Sequence, residues 1–272
     1  MELWQALILG LVEGLTEYLP VSSTGHLVVT QRLLGIGASE AANAYAVAIQ
    51  AGAIAAVLGL YRRRVLQILE GLVGKDRDGT RLLLSLVVGF FPAAVFGLLF
   101  DAKIEEYLFG PWPVVVAWAA GGLLLLVLAP RLKPGREGLA IEAVGPRMAL
   151  YIGLAQCAAL WPGVSRSLAT ILGGLAVGLS VVAAVEFSFL LGLLTLGAAT
   201  AYKALGSGRV MLDAYGPVAL AVGFGAAWLS AVLSVRWMVA WLSRRSFAIF
   251  AVWRLAAAAI VCALLLGGLI SY

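Results

Sequence analysis

Two short polar segments, each containing a proline, carry most of the side chains that could do chemistry in this chain. Residues 13–26 read EGLTEYLPVSSTGH, and residues 162–170 read PGVSRSLAT. The surrounding chain is apolar enough for lipid, and charged or strongly polar groups are costly there, so they mark a functional site by default. Backbone broken by Pro and Gly at membrane depth is tolerated only where protein covers it or where it lines a wet cavity. We therefore predict that the two segments are halves of one site.

The acidic pair of the first segment suggests a metal site. Glu13 and Glu17 stand four residues apart, so a helix places them on one face. Two like charges there repel unless a cation lies between them or one carboxylate is protonated. Hard oxygen ligands of this kind suit Mg²⁺ or Ca²⁺, with phosphate oxygens completing the shell. The alternative is a helix end that faces interfacial water, but the hydroxyls and the histidine that follow favour a site.

The hydroxyl run and the histidine of the first segment suggest phosphate chemistry. Ser22, Ser23 and Thr24 precede His26, which is the only histidine of the chain. A helix that begins near Ser23 or Thr24 would point free backbone N–H groups at an anion. His26 could accept or donate a proton, or attack phosphorus directly. An isolated histidine in an apolar setting also serves as a structural donor, so its role stays open here.

Arg166 is the strongest single candidate of the second segment. Its guanidinium has no acidic residue nearby in the segment, and its fork geometry fits two phosphate oxygens. Ser165, Ser167 and Thr170 add neutral donors where a second helix would begin. The alternative is an arginine that reaches out to the membrane interface, and the flanking proline, glycine and apolar run argue against it.

Composition places the chain in the membrane. Of its 272 residues, 62% are hydrophobic and 12% charged, and the mean hydropathy is +1.01, whereas soluble domains contain about 25% charged residues. The net charge of +5 is ordinary for membrane loops, and no basic patch is interleaved with aromatics, so nucleic-acid binding is not expected. Cys157 and Cys262 each lie alone in apolar stretches and predict neither a disulfide nor a metal site. The N-terminus, which opens with Glu2, does not resemble a cleavable signal peptide.

The apolar stretches predict the elements that must position the site. A helix needs about 20 apolar residues to cross the hydrocarbon. Six stretches reach or approach that length: 43–61, 82–100, 113–130, 182–202, 216–235 and 247–270. Four shorter pieces flank the polar segments in pairs, 3–19 with 26–37 and 147–161 with 167–179. The prediction is an all-α polytopic membrane protein with six transmembrane helices and two re-entrant helical hairpins, whose tips hold the polar residues.

The order of these elements predicts an internal repeat. Within a single integral membrane domain of residues 1–272, the first repeat spans 1–130 with its hairpin at 3–37, and the second spans 147–272 with its hairpin at 147–179. Weak sequence echoes, such as LPVSS at 19–23 and WPGVS at 161–165, support the repeat. Since three spans per half is an odd number, the second half must run inverted, an arrangement that places binding sites near the midplane.

Basic connections orient the chain. Arginines and lysines concentrate at 61–81, at 131–147 (which includes Lys133 and Arg136) and at 243–246. Because short cytoplasmic loops are enriched in these residues, that side is predicted to be cytoplasmic and both termini to lie outside. The first hairpin then enters from outside and the second from inside, so that their tips meet.

The two segments resemble the signature segments of bacterial undecaprenyl-diphosphate phosphatases, the bacitracin-resistance family, and the resemblance extends to residues 45–60 and 186–200. It implies hydrolysis of undecaprenyl diphosphate to undecaprenyl phosphate and inorganic phosphate, which recycles the lipid carrier of cell-wall synthesis. It also implies dependence on Mg²⁺ or Ca²⁺ and a site on the outer, periplasmic side of the bacterial plasma membrane. One departure is Leu168, where the family usually has glycine.

By the resemblance, Glu13, Glu17, Ser23, His26 and Arg166 occupy the family's functional positions. Because positioning and charge neutralisation dominate phosphoryl transfer, we predict catalytic roles for Glu17, Ser23, His26 and Arg166 and metal binding by Glu13 and Glu17. The predicted substrate-binding residues are Ser22, Thr24, Ser165, Ser167 and Thr170. The nucleophile stays open between Ser23 deprotonated by His26, His26 itself, and water.

Other functions and partners follow from the same features. An inverted repeat also suits a transporter or flippase for a lipid phosphate or anion, although a carrier needs no adjacent Ser/His pair and acidic pair. A lipid kinase is disfavoured because no nucleotide-binding loop is present. The expected partners are a prenyl diphosphate substrate and membrane lipid, and glycine-rich spans also permit a homodimer.

Overall fold

The computed structural model describes residues 1–132 and 137–269, so Lys133 and Arg136 of the predicted basic connection lie outside the described residues. The described chain contains ten α-helices and no named strand. The helices are α1 (Leu3–Thr16), α2 (Ser23–Leu33), α3 (Glu40–Leu60), α4 (Arg62–Leu72), α5 (Arg77–Leu108), α6 (Pro111–Leu128), α7 (Pro146–Cys157), α8 (Arg166–Ala176), α9 (Val181–Leu242) and α10 (Ala248–Leu266).

Five of the described helices, α3, α5, α6, α9 and α10, are long and apolar enough to cross a membrane. This confirms the all-α class and a chain that crosses the membrane several times. Helices α1, α2, α7 and α8, which flank the two polar segments, have only 14, 11, 12 and 11 residues.

Helix α9 is too long to be a single span. Its 62 residues correspond to about 93 Å at 1.5 Å per residue, three times the thickness of the hydrocarbon. The helix breaks at Gly216, where φ is 76° and ψ is 162°, and Pro217 follows. A positive φ of this kind is accessible to glycine at little cost. We call residues 181–215 the first arm and residues 217–242 the second arm.

The contacts of α3 show that the two arms run in opposite directions along it. As residue numbers rise along α3, the numbers of its contact residues fall along the first arm and rise along the second arm. The pairs are Glu40–Ser207 and Val47–Thr200 for the first arm, and Tyr45–Ala219 and Gly52–Phe224 for the second.

The predicted 61–81 connection is helical in part, and so are two of the stretches that lie between predicted spans. The 61–81 connection contains α4, residues 101–106 lie inside α5, and residues 203–215 belong to the first arm of α9. The prediction ended each helix where charged residues began. A helix can continue past the hydrocarbon, where water and headgroups solvate its charges, so polarity marks the membrane boundary rather than the helix end.

The short helices α1 and α7 pack closely on long ones through glycine. A Cβ on Gly10 of α1 would overlap the carbonyl oxygen of Gly223 in the second arm of α9. A Cβ on Gly153 of α7 would likewise overlap the carbonyl oxygen of Gly89 in α5. Each polar segment is therefore anchored against a helix of the other half of the chain, which brings the two segments together.

Candidate active site

The two polar turns share one local structure. Among the described residues, Ser22 (φ 73°) and Ser165 (φ 79°) are the non-glycine positions with positive φ. Each serine is the N-cap of the helix that follows, and its Oγ accepts a hydrogen bond from the backbone N–H three residues on, at Gly25 (3.4 Å) and Leu168 (3.2 Å). A proline lies two or three residues before each serine, in the turn that separates the two short helices. We call residues 17–24 tip 1 and residues 158–167 tip 2.

The tips meet at the carboxylate of Glu17. Its Oε2 accepts a hydrogen bond from the hydroxyl of Ser23, and its Oε1 accepts from Nη2 of Arg166 at 2.8 Å, across 149 positions of sequence. Arg166 Nη1 donates to the carbonyl of Ser188 at 3.0 Å, and its guanidinium lies 5.2 Å from the ring centre of Tyr18. A hydroxyl, a carboxylate and a guanidinium are thus held in one buried cluster.

A polar cavity of about 150 Å³ opens beside this cluster. Both tips, the middles of α3, α5 and the first arm of α9, and the C-terminal end of α7 line it. Its polar lining residues are Glu17, Ser22, Ser23, Thr24, Gln50, Gln156, Ser165, Arg166 and Thr195. The volume and the donors suit a small anionic group such as the end of a diphosphate.

Glu13 lies next to this cluster and is fully buried. Neither of its carboxylate oxygens has a hydrogen-bond partner among the described residues. An ionised buried carboxylate without a partner is costly, so Glu13 requires a proton or a cation. The described residues contain no group of three or more His, Cys, Asp or Glu side chains around a common point. The two carboxylates of Glu13 and Glu17 match the donor set of an ion such as Mg²⁺, because proteins typically hold that ion with one or two carboxylates together with phosphate oxygens and water.

His26 faces away from this cavity. Its Nδ1 donates to the carbonyl of Ser22 at 2.7 Å, and its Nε2 accepts from Nε1 of Trp253 at 3.0 Å; we assign this neutral tautomer from the two partners. The ring also packs against Trp118, at 4.6 Å between ring centres. The structure brings Ser23 to Glu17 and does not bring His26 to Ser23.

Ser167 and Thr170 lie behind the cavity rather than in its lining. The hydroxyl of Ser167 donates to the carbonyl of Leu19 at 2.9 Å, which ties tip 2 directly to tip 1. The hydroxyl of Thr170 bonds back to the carbonyl of Arg166 at 2.9 Å and contacts Ser188 Oγ at 2.6 Å. Both hydroxyls are buried and hydrogen-bonded within the protein, and their contact with phosphate stays a prediction.

The sequence reasoning missed two polar residues at the site. Gln156 lines the cavity, and its Nε2 has no partner among the described residues, while its Oε1 accepts from Thr195 at 3.3 Å. Arg254, in α10, contacts the backbone of both tips. Both could have been found from sequence, since each is a strongly polar side chain within an otherwise apolar stretch.

Comparison with known proteins finds one family and several relatives that match nearly the whole chain. The family model "Bacitracin resistance protein BacA" matches residues 6–260. An "Undecaprenyl-diphosphatase" of Sorangium cellulosum is 46% identical over 261 residues, which cover 95% of this chain and 85% of that protein. "Undecaprenyl-diphosphatase 2" of Rhodospirillum rubrum is 44% identical over 268 residues, covering 98% of this chain and 97% of that protein. An "Undecaprenyl-diphosphatase" of Neisseria gonorrhoeae is 41% identical over 269 residues, with the same two coverages of 98% and 97%.

Proposed function

The chain belongs to the bacitracin resistance protein BacA family, and we propose that it hydrolyses undecaprenyl diphosphate to undecaprenyl phosphate and inorganic phosphate where its two tips meet. The relatives described above are named for this activity and match nearly the whole chain. The observation that carries the proposal is the Ser23–Glu17–Arg166 cluster, which combines a nucleophile, a base and a phosphate-binding cation.

Ser23 is the proposed nucleophile and Glu17 its base. As the Ser23 oxygen bonds to the terminal phosphorus, Glu17 accepts the hydroxyl proton. The phosphoanhydride bond breaks, and Glu17 passes the proton to the departing oxygen of undecaprenyl phosphate. Glu17, ionised again, then takes a proton from the water that attacks the phosphoserine and returns it to the Ser23 oxygen as inorganic phosphate leaves.

The hydrogen bonds of His26 favour Ser23 over the imidazole as the attacking group. One ring nitrogen of His26 donates to backbone and the other accepts from Trp253, so neither is free to attack phosphorus. His26 instead supports the first turn of α2, which begins at Ser23.

Two donor groups of the cavity lining are available for the diphosphate. Nε of Arg166 and Nε2 of Gln156 have no hydrogen-bond partner among the described residues. We assign both to the phosphate oxygens, together with the N-termini of α2 and α8, which Ser22 and Ser165 cap beside the cavity. Phosphoryl transfer depends mainly on such positioning and charge neutralisation.

Glu13 and Glu17 would hold a Mg²⁺ or Ca²⁺ ion, which when bound supplies positive charge to the diphosphate oxygens. The unpartnered carboxylate oxygens of Glu13 support this assignment. The charges support it as well, because Arg166 alone does not balance a diphosphate and two carboxylates.

We also propose six membrane spans, with each arm of α9 crossing once and the two tips carried by re-entrant hairpins. The opposite directions of the arms along α3 support two crossings, and the 11 to 14 residues of α1, α2, α7 and α8 are too few for a span of about 20. The arginines at 62, 63, 131, 244 and 245 are exposed, which supports a cytoplasmic location for the helix ends beside them. The termini and the active site then lie on the periplasmic side.

Phosphate release in detergent tests the function. Purified protein given a prenyl diphosphate and Mg²⁺ is expected to release phosphate, whereas a transporter needs a sealed bilayer and would release none. With rapid quench, labelled substrate should leave an acid-stable phosphoenzyme that Ser23→Ala lacks. An acid-labile phosphoenzyme that survives in Ser23→Ala would instead assign the nucleophile to His26.

A further inference from the structure

Arg254 is a fully buried arginine in the middle of α10, and it has no carboxylate partner among the described residues. The four N–H groups of its two terminal nitrogens all donate to backbone carbonyl oxygens instead. Nη1 donates to Pro20 (3.3 Å) and Val164 (3.1 Å), and Nη2 donates to Ala117 (2.9 Å) and Gly163 (2.9 Å).

Three of the four carbonyls that Arg254 binds belong to the two tips, and the fourth, that of Ala117, belongs to α6. Pro20 lies two residues before Ser22, and Gly163 and Val164 lie immediately before Ser165. Ser22 and Ser165 hold positive φ, a conformation that non-glycine residues keep only when the surrounding structure fixes it. Through one planar group, α10 therefore holds both turns against each other and against α6.

We propose that Arg254 is a positioning residue for the phosphatase reaction. It fixes the positions of tip 1 and tip 2 relative to each other, so that Ser23 and Arg166 face the same phosphate. The inference rests on the proposed function of this cluster. Arg254 does not line the polar cavity, so it acts through the backbone of the tips. Only a guanidinium fits this position, because its fork presents four N–H groups in a plane, whereas a lysine offers three from a single nitrogen.

The first test replaces the fork. Arg254→Lys keeps the charge and Arg254→Gln keeps part of the hydrogen bonding, but neither can reach all four carbonyls. With a prenyl diphosphate in detergent, kcat should fall by about 100-fold while KM changes by less than about threefold, since the donors in the cavity remain and only their alignment is lost. Arg64→Gln is the matched control, because Arg64 also binds several partners but lies outside the tips; its kcat should stay near that of the wild type.

A second variant displaces the guanidinium without removing it. It tests whether the position of the guanidinium controls kcat even if the Arg254 variants fail to fold. A Cβ at Gly121 of α6 would overlap the guanidinium of Arg254, whereas a Cβ at the neighbouring Gly122 would meet Leu255. Gly121→Ala should therefore lower kcat by about 10-fold or more, and Gly122→Ala should not, at comparable thermal stability.

Two results would overturn the inference. One is a folded Arg254→Lys or Gly121→Ala protein with the kcat of the wild type. The other is an unchanged kcat with a raised KM, which would make Arg254 a substrate-binding charge rather than a positioning residue. A wild-type protein that releases no phosphate would be a different outcome, since it would contradict the proposed function itself.

Discussion

Glu17 links the two tips because its carboxylate accepts hydrogen bonds from both of them. One oxygen accepts from the Ser23 hydroxyl and the other from the Arg166 guanidinium. In the proposed mechanism, this single side chain both activates the nucleophile and orients the phosphate-binding cation. Charge-assisted bonds of this kind are short and directional. At this scale, the proposed reaction depends on keeping the three groups aligned beside the polar cavity.

Gln156 is the residue whose predicted contribution is easiest to isolate. Gln156→Leu keeps the approximate shape but removes the unpartnered amide beside the cavity, so kcat/KM should fall by about 10- to 100-fold, the range expected for a hydrogen bond to a charged group. Gln156→Glu should be worse, because it places an anion beside the diphosphate. Steady-state kinetics would show this, with Gln67→Leu on α4 as a control of unchanged activity. Wild-type kcat/KM in Gln156→Leu would remove this residue from the site.

The residue types of the site could be predicted from sequence, but the directions in which their side chains point could not. Glu13, Glu17, Ser23 and Arg166 stand out because ionisable and hydroxyl groups are rare in so apolar a chain. Whether His26, Ser167 or Thr170 faces the cavity depends on how α2 and α8 are rotated about their axes. The positive φ of Ser22 and Ser165 sets this rotation where each helix begins. That backbone feature leaves no signal in the spacing of the motif.

Glycine contacts position the short helices at the scale of elements. Gly10 of α1 meets Gly223 in α9, and Gly153 of α7 meets Gly89 in α5, so each tip is held by a long helix of the opposite half. In a membrane, helices associate through such close backbone approach, because apolar burial between them gains little. Residues 87–90 (VVGF) and 221–224 (AVGF) are similar in sequence, which suggests related positions, but only the structure shows that each contacts the other half. The division into two repeats stays a prediction.

Substitution of either of these glycines by alanine should destabilise the fold by a similar amount. Gly10→Ala and Gly153→Ala each force a methyl group into a backbone carbonyl, and we expect a loss of about 1–3 kcal/mol of unfolding free energy. Gly197→Ala in α9 faces open space and should be neutral or slightly stabilising. Thermal unfolding in one detergent compares the three. An unchanged melting temperature in Gly10→Ala would mean that α1 is not held where the structure places it.

The whole molecule is a polytopic membrane protein whose class and long helices were predictable from hydropathy. Helix ends were less predictable, as in α5 and α9, because charged residues continue as helix beyond the lipid. The proposed orientation places the ends near Arg63 and Arg245 in the cytoplasm and the end of α5 near Tyr107 outside. A homodimer stays a prediction.

Cysteine labelling tests this orientation. In a chain with Cys157 and Cys262 replaced by serine, Tyr107→Cys should react with a membrane-impermeant maleimide in intact spheroplasts. Arg63→Cys and Arg245→Cys should react only after the membrane is opened. All three positions are exposed, so access depends on the side of the membrane. Labelling of Arg63→Cys in intact spheroplasts would reverse the proposed topology.

The claim that the two tips form one active site is tested most directly by a double-mutant cycle between them. Glu17→Asp and Arg166→Lys each weaken the 2.8 Å ion pair while leaving the charges in place. Measured as kcat/KM for phosphate release from a prenyl diphosphate, each single variant should lose activity. The double variant should lose much less than the product of the two losses, with a coupling of more than about 1 kcal/mol. Losses that multiply to within about 0.5 kcal/mol would mean that the tips act independently and would contradict a shared site.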